Sequence, residues 1–195
     1  MTIIDLMRHR PEALIVHGEI SLRRWQRPEK DFDVLYRLIE ESLDHLRPWM
    51  PWVTGHSPAA TTGFLARCEP RWDSGEAYDY ALMHRGAVVG CGSISTGDDP
   101  AGRELGYWLH PAATGRGVAS RAATSMAEQA LMLPDVAYVE IVHDVANTAS
   151  GAVAGRAGFT QFDRRPAAPP LAPSDSGIEL VWRRYGTPEP ATTQR

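Results

Sequence analysis

The sequence predicts a single α/β domain of the α+β sandwich kind, one mixed, mostly antiparallel sheet of six to seven strands with helices packed on it. Three observations carry this reading. Short runs alternate apolar and polar residues at period two, longer runs repeat apolar residues every three or four positions, and one strand-like run feeds a glycine-rich turn that opens a helix. With 195 residues, 43% of them hydrophobic and 23% charged, the chain is long enough and apolar enough to bury one core.

The elements follow in order. Residues 19–25, Glu-Ile-Ser-Leu-Arg-Arg-Trp, put Ile20, Leu22 and Arg24 on one face of a strand, and Ala13 to Val16 is suited to pair with it. From Glu29 to Leu46, residues Phe32, Leu35, Leu38, Ile39, Leu43 and Leu46 recur at helical spacing, and Pro48 marks the stop of one amphipathic helix. A connector broken by prolines carries Trp49 and Trp52 as substrate-side candidates, then Ser57 and Pro58 supply the N-cap and first turn of a second helix. Tyr78 to Met83 and Ala87 to Ile94 flank His84-Arg85-Gly86, a hairpin connection.

Glu104 to Leu109 reads as another strand. Ala119, Ala122, Ala123, Met126, Ala127 and Ala130 then mark a helix whose small residues allow close approach to a sheet. Val136 to Val142 is strand-like, Asn147 to Ala157 is helical with Gly158 as its stop, and Phe159 to Phe162 begins a further strand. Pro166 to Pro173 is a loop, and Ile178 to Trp182 returns to strand pattern. One domain over residues 1–186 and a mobile tail over 187–195 are expected.

Composition narrows the function. The formal net charge of −4 provides no whole-chain positive field for nucleic acid or an anionic membrane. Cys68 and Cys91 lack CxxC spacing and read as free thiols of a reducing compartment. The first residues hold no apolar stretch of signal-peptide length, and no run approaches the roughly 18 apolar residues of a membrane span, so a soluble cytoplasmic protein is expected. No histidine pair at i, i+4 suggests a metal, and a homodimer is compatible with the sequence.

One segment points to chemistry. A strand leading into Pro111-Ala112-Ala113-Thr114-Gly115-Arg116-Gly117-Val118-Ala119 and then a helix fits an anion site, because glycines let N–H groups turn outward and the helix start adds a positive dipole end. Taken alone, the same segment is plain turn chemistry. No Gly-Lys-Ser/Thr follows, Ser120 stands at the third glycine of a dinucleotide fingerprint, and Glu140 lies inside a strand, so neither common phosphate loop applies.

These residues resemble the cofactor motif of the GNAT superfamily, Gln/Arg-x-x-Gly-x-Gly/Ala, with Gly117 and Ala119 at its last two fixed positions and Thr114 in place of Gln or Arg. A second resemblance lies in His143-Asp144-Val145-Ala146-Asn147-Thr148-Ala149-Ser150 followed by Gly158-Phe159, similar to the Asn-x-x-Ser/Ala helix and Gly-Phe strand start of the same superfamily. With Glu-Leu-Gly-Tyr-Trp-Leu-His-Pro and Leu-Arg-Pro-Trp-Met-Pro-Trp, the likeness covers residues 18 to 184. It is nearest to the branch of ribosomal-protein alanine N-acetyltransferases, which also contains enzymes acting on antibiotics and other small amines.

The resemblance implies a sheet splayed between two central parallel strands, 104–109 and 136–142, with acetyl-CoA in the gap and no metal. It implies that Trp108, Leu109 and His110 offer main-chain groups to the pantetheine arm, and that residues 114–120 hold the pyrophosphate, Arg116 adding charge. Acyl transfer to an amine needs a base, a polarised carbonyl and a proton for the thiolate. Glu104 is the first choice of base, with His143 and Asp79 as rivals; Asp79 and Glu104 also face the amine. The N–H of Leu109 is expected to polarise the carbonyl.

Many members place a tyrosine seven residues after the motif asparagine, where this chain has Ala154, so the acid falls to Ser150. Asn147 caps the helix and approaches the pantetheine. The expected activity is N-acetyl transfer to a primary amine, a protein N-terminus or a small molecule, in a ternary complex. A non-catalytic acyl-CoA-binding module on the same fold, and an unrelated nucleotide-binding domain, are the alternatives.

Overall fold

A computed structural model describes residues 10–186 of the chain. Two short antiparallel strands come first, β1 (Leu14–His17) and β2 (Ile20–Arg24), paired as the alternation at Ile20 and Leu22 predicts. The helix α1 (Pro28–Glu40) has Pro28 in its first turn and buries Leu35, Leu38 and Ile39. It stops earlier than its periodicity suggests. Ser42 Oγ donates to Leu38 O at 2.7 Å and Ser42 N–H goes to Ile39 O, so the last turn tightens and closes. The four-residue α2 (Leu43–Leu46) then turns Leu46 into the core.

A 3₁₀ turn (Pro51–Gly55) leads to α3 (Pro58–Ser74), where Ser57 accepts from Ala60 N–H as the expected N-cap and Gly75, at φ 77°, closes the C-terminus. The hairpin β3 (Ala77–His84) and β4 (Ala87–Thr96) turns through Arg85 and Gly86, both at positive φ. Next come β5 (Gly102–Leu109), α4 (Val118–Leu131), β6 (Tyr138–Asp144), α5 (Thr148–Arg156), β7 (Thr160–Pro166) and β8 (Ile178–Tyr185). The loop expected from Pro166 follows β7. The expected tail over 187–195 lies outside the described residues.

One eight-stranded sheet results, in the order β1-β2-β3-β4-β5-β6-β8-β7, one strand more than the upper expectation. Every neighbouring pair is antiparallel except β5 with β6. That parallel pair is registered only over Gly102↔Tyr138, Arg103↔Val139 and Glu104↔Glu140, although β5 runs on to Leu109 and β6 to Asp144. Beyond Glu104 the sheet therefore splays.

The core has two layers, one on each face of the sheet. Ile94, Leu105, Val139 and Ile141 pack under α4, whose Ala122, Ala123, Ala127 and Ala130 are fully buried and let the helix lie close. Trp25, Leu35, Leu65 and Ala81 fill the other face beneath α1 and α3. Cys68 and Cys91 are free and buried in that second layer, where burial pushes the Cys91 thiol up to about 12. Among the described residues no helix is long and apolar enough to cross a membrane.

β4 and β5 meet closely. A Cβ at Gly90 would stand 2.2 Å from Trp108 O, so glycine alone permits the approach that brings β5 into place beside the splay.

Candidate active site

Strand alternation decides which β5 groups face the gap. His110 N–H donates to Val89 O on the β4 side, so the main chains of Trp108 and His110 turn toward β4. Those of Tyr107 and Leu109 turn toward the unpaired edge. The Leu109 N–H thus faces the gap. His110 departs from its expected role, because its carbonyl also accepts from Ala113 N–H and neither main-chain group is free for an added strand. Trp108 contributes its indole instead.

The glycine turn sits at the other side of the gap. Gly115 and Gly117 both have φ near 71°, and Gly117 is the N-cap of α4 without any side-chain cap. The first N–H groups of α4, from Val118, Ala119 and Ser120, are therefore left for an anion. Thr114 to Gly117 is exposed throughout, while Val118 is buried and anchors the helix start. Thr114 Oγ1 donates to Pro111 O at 2.8 Å, closing the turn locally. Arg116 is exposed, and Arg121 curls back to donate to Arg116 O at 3.0 Å, which adds a second cation to the loop. Arg121 was not legible as a site residue, since its only sequence signal is a position one turn past Gly117.

At the start of α5, Asn147 Oδ1 accepts from Ser150 N–H at 3.1 Å, the expected cap. Ser150 Oγ lies 3.1 Å from the phenol of Tyr107 on β5, and the phenol also reaches Ser150 O at 3.4 Å. Sequence reading missed Tyr107. The helix position that lacks a tyrosine, Ala154, is fully buried, and a strand 43 residues earlier brings a phenol to the serine instead. Burial holds the Tyr107 hydroxyl up at about 12, so it stays protonated.

His143 is placed differently from a free base. Trp182 Nε1–H donates to its Nε2 at 2.9 Å, and its Nδ1 is 2.7 Å from Asp144 O. An indole only donates and a carbonyl only accepts, so the ring is a neutral Nδ1–H tautomer with both nitrogens occupied. It is buried against α5, with Gly151 leaving room for the ring. Its geometry is that of a packing residue.

Glu104 stands where the parallel pairing ends. Glu104 is exposed at the mouth of the splay, yet its carboxyl is pushed above the usual range, first by partial loss of solvation and then by the charges of Glu140 and Glu179. Glu140 itself is tied to Arg183 at 2.5 Å, so it is the less available carboxylate.

From Glu104, the same face of β5 continues through Gly106 and Trp108 into a cavity of about 410 Å³ between the sheet and helices α1 and α3. Trp52 lines it and stands 6.2 Å from Trp108, ring centre to ring centre, at 46°. Trp49, the other expected substrate residue, does not line it. Asp79 does; it is held by Arg71 at 3.3 Å, and burial raises its carboxyl against the opposing hydrogen bond of Ser93. Among the described residues no group of three His, Cys, Asp or Glu side chains is placed to hold a metal ion.

The model of the acetyltransferase (GNAT) domain matches residues 19–160 of this chain. Among solved structures, the chain is similar to RimL, a ribosomal-protein alpha-N-acetyltransferase in complex with coenzyme A, at a TM-score of 0.79 and 23% identity, over 89% of this chain and 98% of that one. It is also similar to the microcin self-immunity acetyltransferase MccE, in complex with acetyl-CoA and AMP, at a TM-score of 0.79 and 19% identity over 92% and 99% of the two chains. A ribosomal-protein alanine acetyltransferase from Vibrio fischeri gives 0.76 and 15% over 89% and 97%. These likenesses are of fold. No curated protein sequence matches the chain.

Proposed function

The chain belongs to the acetyltransferase (GNAT) family, and from that premise we propose that it moves an acetyl group from acetyl-CoA to a primary amine, by direct attack in a ternary complex. The observation that carries the proposal is the convergence on one gap of three features: the free β5 edge at Tyr107 and Leu109, the uncapped start of α4, and the Tyr107–Ser150 pair.

The residues present suit such a co-substrate. The N–H groups of Val118 to Ser120, with Arg116 and Arg121, suit a pyrophosphate. The β5 edge suits a pantetheine arm, which can pair with it as a strand would. When bound there, acetyl-CoA supplies the activated acyl group.

The rest falls to the chain. Glu104 takes a proton from the amine, directly or through water, as the nitrogen lone pair forms the new bond to carbon. Leu109 N–H donates to the carbonyl oxygen as negative charge builds on it. Ser150, backed by Tyr107, gives a proton to the sulfur as the carbon–sulfur bond breaks.

RimL is named for the alpha-N of a ribosomal protein and the Vibrio fischeri enzyme for a ribosomal-protein alanine, so an N-terminal amine belongs on the acceptor panel beside small-molecule amines. Use of acetyl-CoA suits a cytoplasmic enzyme. Incubation with labelled acetyl-CoA and that panel tests the proposal: label should move to at least one amine. Tight binding of CoA with no transfer to any amine would instead identify a non-catalytic acyl-CoA module.

A further inference from the structure

The cavity beside β5 has a chemical character that narrows the acceptor. Its walls are mostly apolar, with Leu35, Ile39 and Met50 beside the aromatic Trp52, Phe64 and Trp108. The two indoles are neither coplanar nor in face contact, so they form a wedge on either side of which a ring can lie.

Its charges are few. Asp79 is taken by Arg71, whereas Arg67 lines the cavity and, among the described residues, has no carboxylate partner. Arg67 lies back along α3 over Gly63, whose missing Cβ would stand 3.2 Å from the guanidinium. Arg71 is shared between Asp79 and Glu76, the latter at 2.9 Å, so these three groups are engaged with one another and Arg67 is the cation left facing the cavity.

A second polar group waits at the same wall. Thr61, six residues before Arg67 on α3, is only 3% exposed, and its Oγ1 has no hydrogen-bond partner although it lines the cavity. A buried hydroxyl without a partner costs free energy that a bound acceptor atom would recover. A polycationic amine would meet the opposite of what it needs, an apolar wedge and an unpaired arginine.

Resting on the acetyltransferase reading above, we propose that the acceptor is a primary amine joined through an aromatic or comparably broad apolar body to an anionic group. The body lies in the Trp52–Trp108 wedge and the anion meets Arg67 and Thr61 Oγ1. The amine is thereby turned toward Gly106 and the splay, where Glu104 stands.

The test is calorimetric titration of two probes into the protein saturated with CoA. 4-(2-Aminoethyl)benzoate and 2-phenylethylamine differ only in the carboxylate. The benzoate is expected to bind at least about tenfold more tightly, the scale of a charge-assisted hydrogen bond. Arg67→Ala should bring that ratio close to one while leaving 2-phenylethylamine unchanged. Trp52→Ala should weaken both probes about tenfold, and Thr61→Val should weaken the benzoate about threefold or more. Arg67 and Trp52 are exposed, so their replacement leaves the fold intact.

A wild-type ratio near one, a ratio that survives Arg67→Ala, or tobramycin binding more tightly than the benzoate would overturn the inference. Binding is read without turnover. The expected ratios with no transfer to any amine would therefore overturn the acetyltransferase reading alone, and transfer with a ratio near one would overturn only this inference.

Discussion

On the proposed function the chemistry falls to Glu104 and Tyr107, both on β5, and to Ser150 on α5, so one strand and one helix deliver three side chains to the same gap. For Glu104 the raised carboxyl sets the sign of the pH effect. A base works deprotonated, so kcat/KM should rise as pH increases through the elevated Glu104 value. Glu104→Gln should lower kcat/KM about a hundredfold or more and flatten that limb, with the CoA dissociation constant unchanged. If Ser150 and Tyr107 form one proton-donating unit, Ser150→Ala and Tyr107→Phe should each lower kcat about tenfold or more. The double variant should be little worse than either single one, and additive losses would separate their roles. Ser150 and Asn147 were legible in sequence because their spacing lies within one helical turn. Tyr107 was not, since nothing local announces that β5 and α5 meet.

On the proposed function, cofactor binding rests on the start of α4. Gly117 holds φ 71° at the N-cap, a conformation that costs a residue with a Cβ about 1 kcal/mol. Gly117→Ala should therefore raise the CoA dissociation constant about tenfold, measured by titration, with only a small fall in Tm. The sequence announced this element clearly, through glycines placed between a strand and a run of alanines. It announced α1 less well. Period and Pro48 together suggested one helix to Leu46, but Ser42 competes for the carbonyl of Leu38 and closes the helix at Glu40. The break redirects the chain through Met50 and Trp52, so the wall of the cavity beside β5 depends on a hydroxyl that periodicity does not reveal.

Across the whole molecule the splay depends on what holds the far half of the sheet in place. Asp144, at the end of β6, is opposed by burial but accepts hydrogen bonds from Ala146 N–H, the Ser176 N–H and hydroxyl, and Gly177 N–H. The net effect lowers its carboxyl below the usual range. A carboxyl lowered by folding contributes stability that is present above its unfolded value and lost as pH falls through its folded one. Asp144→Ala should cost roughly 2–3 kcal/mol at neutral pH in denaturant unfolding, with the gap from the wild type shrinking as the pH falls through that window. The sequence by itself determined the local elements, the glycine turn, the α5 cap and hence the family, because each is written within a few neighbouring residues. The tertiary structure alone decided the occupied state of His143, the engagement of His110, the Tyr107–Ser150 contact and the unpaired Arg67 in its aromatic cavity. Each of these depends on which atoms of distant strands and helices meet, and periodicity carries no information about a partner's free hydrogen bonds.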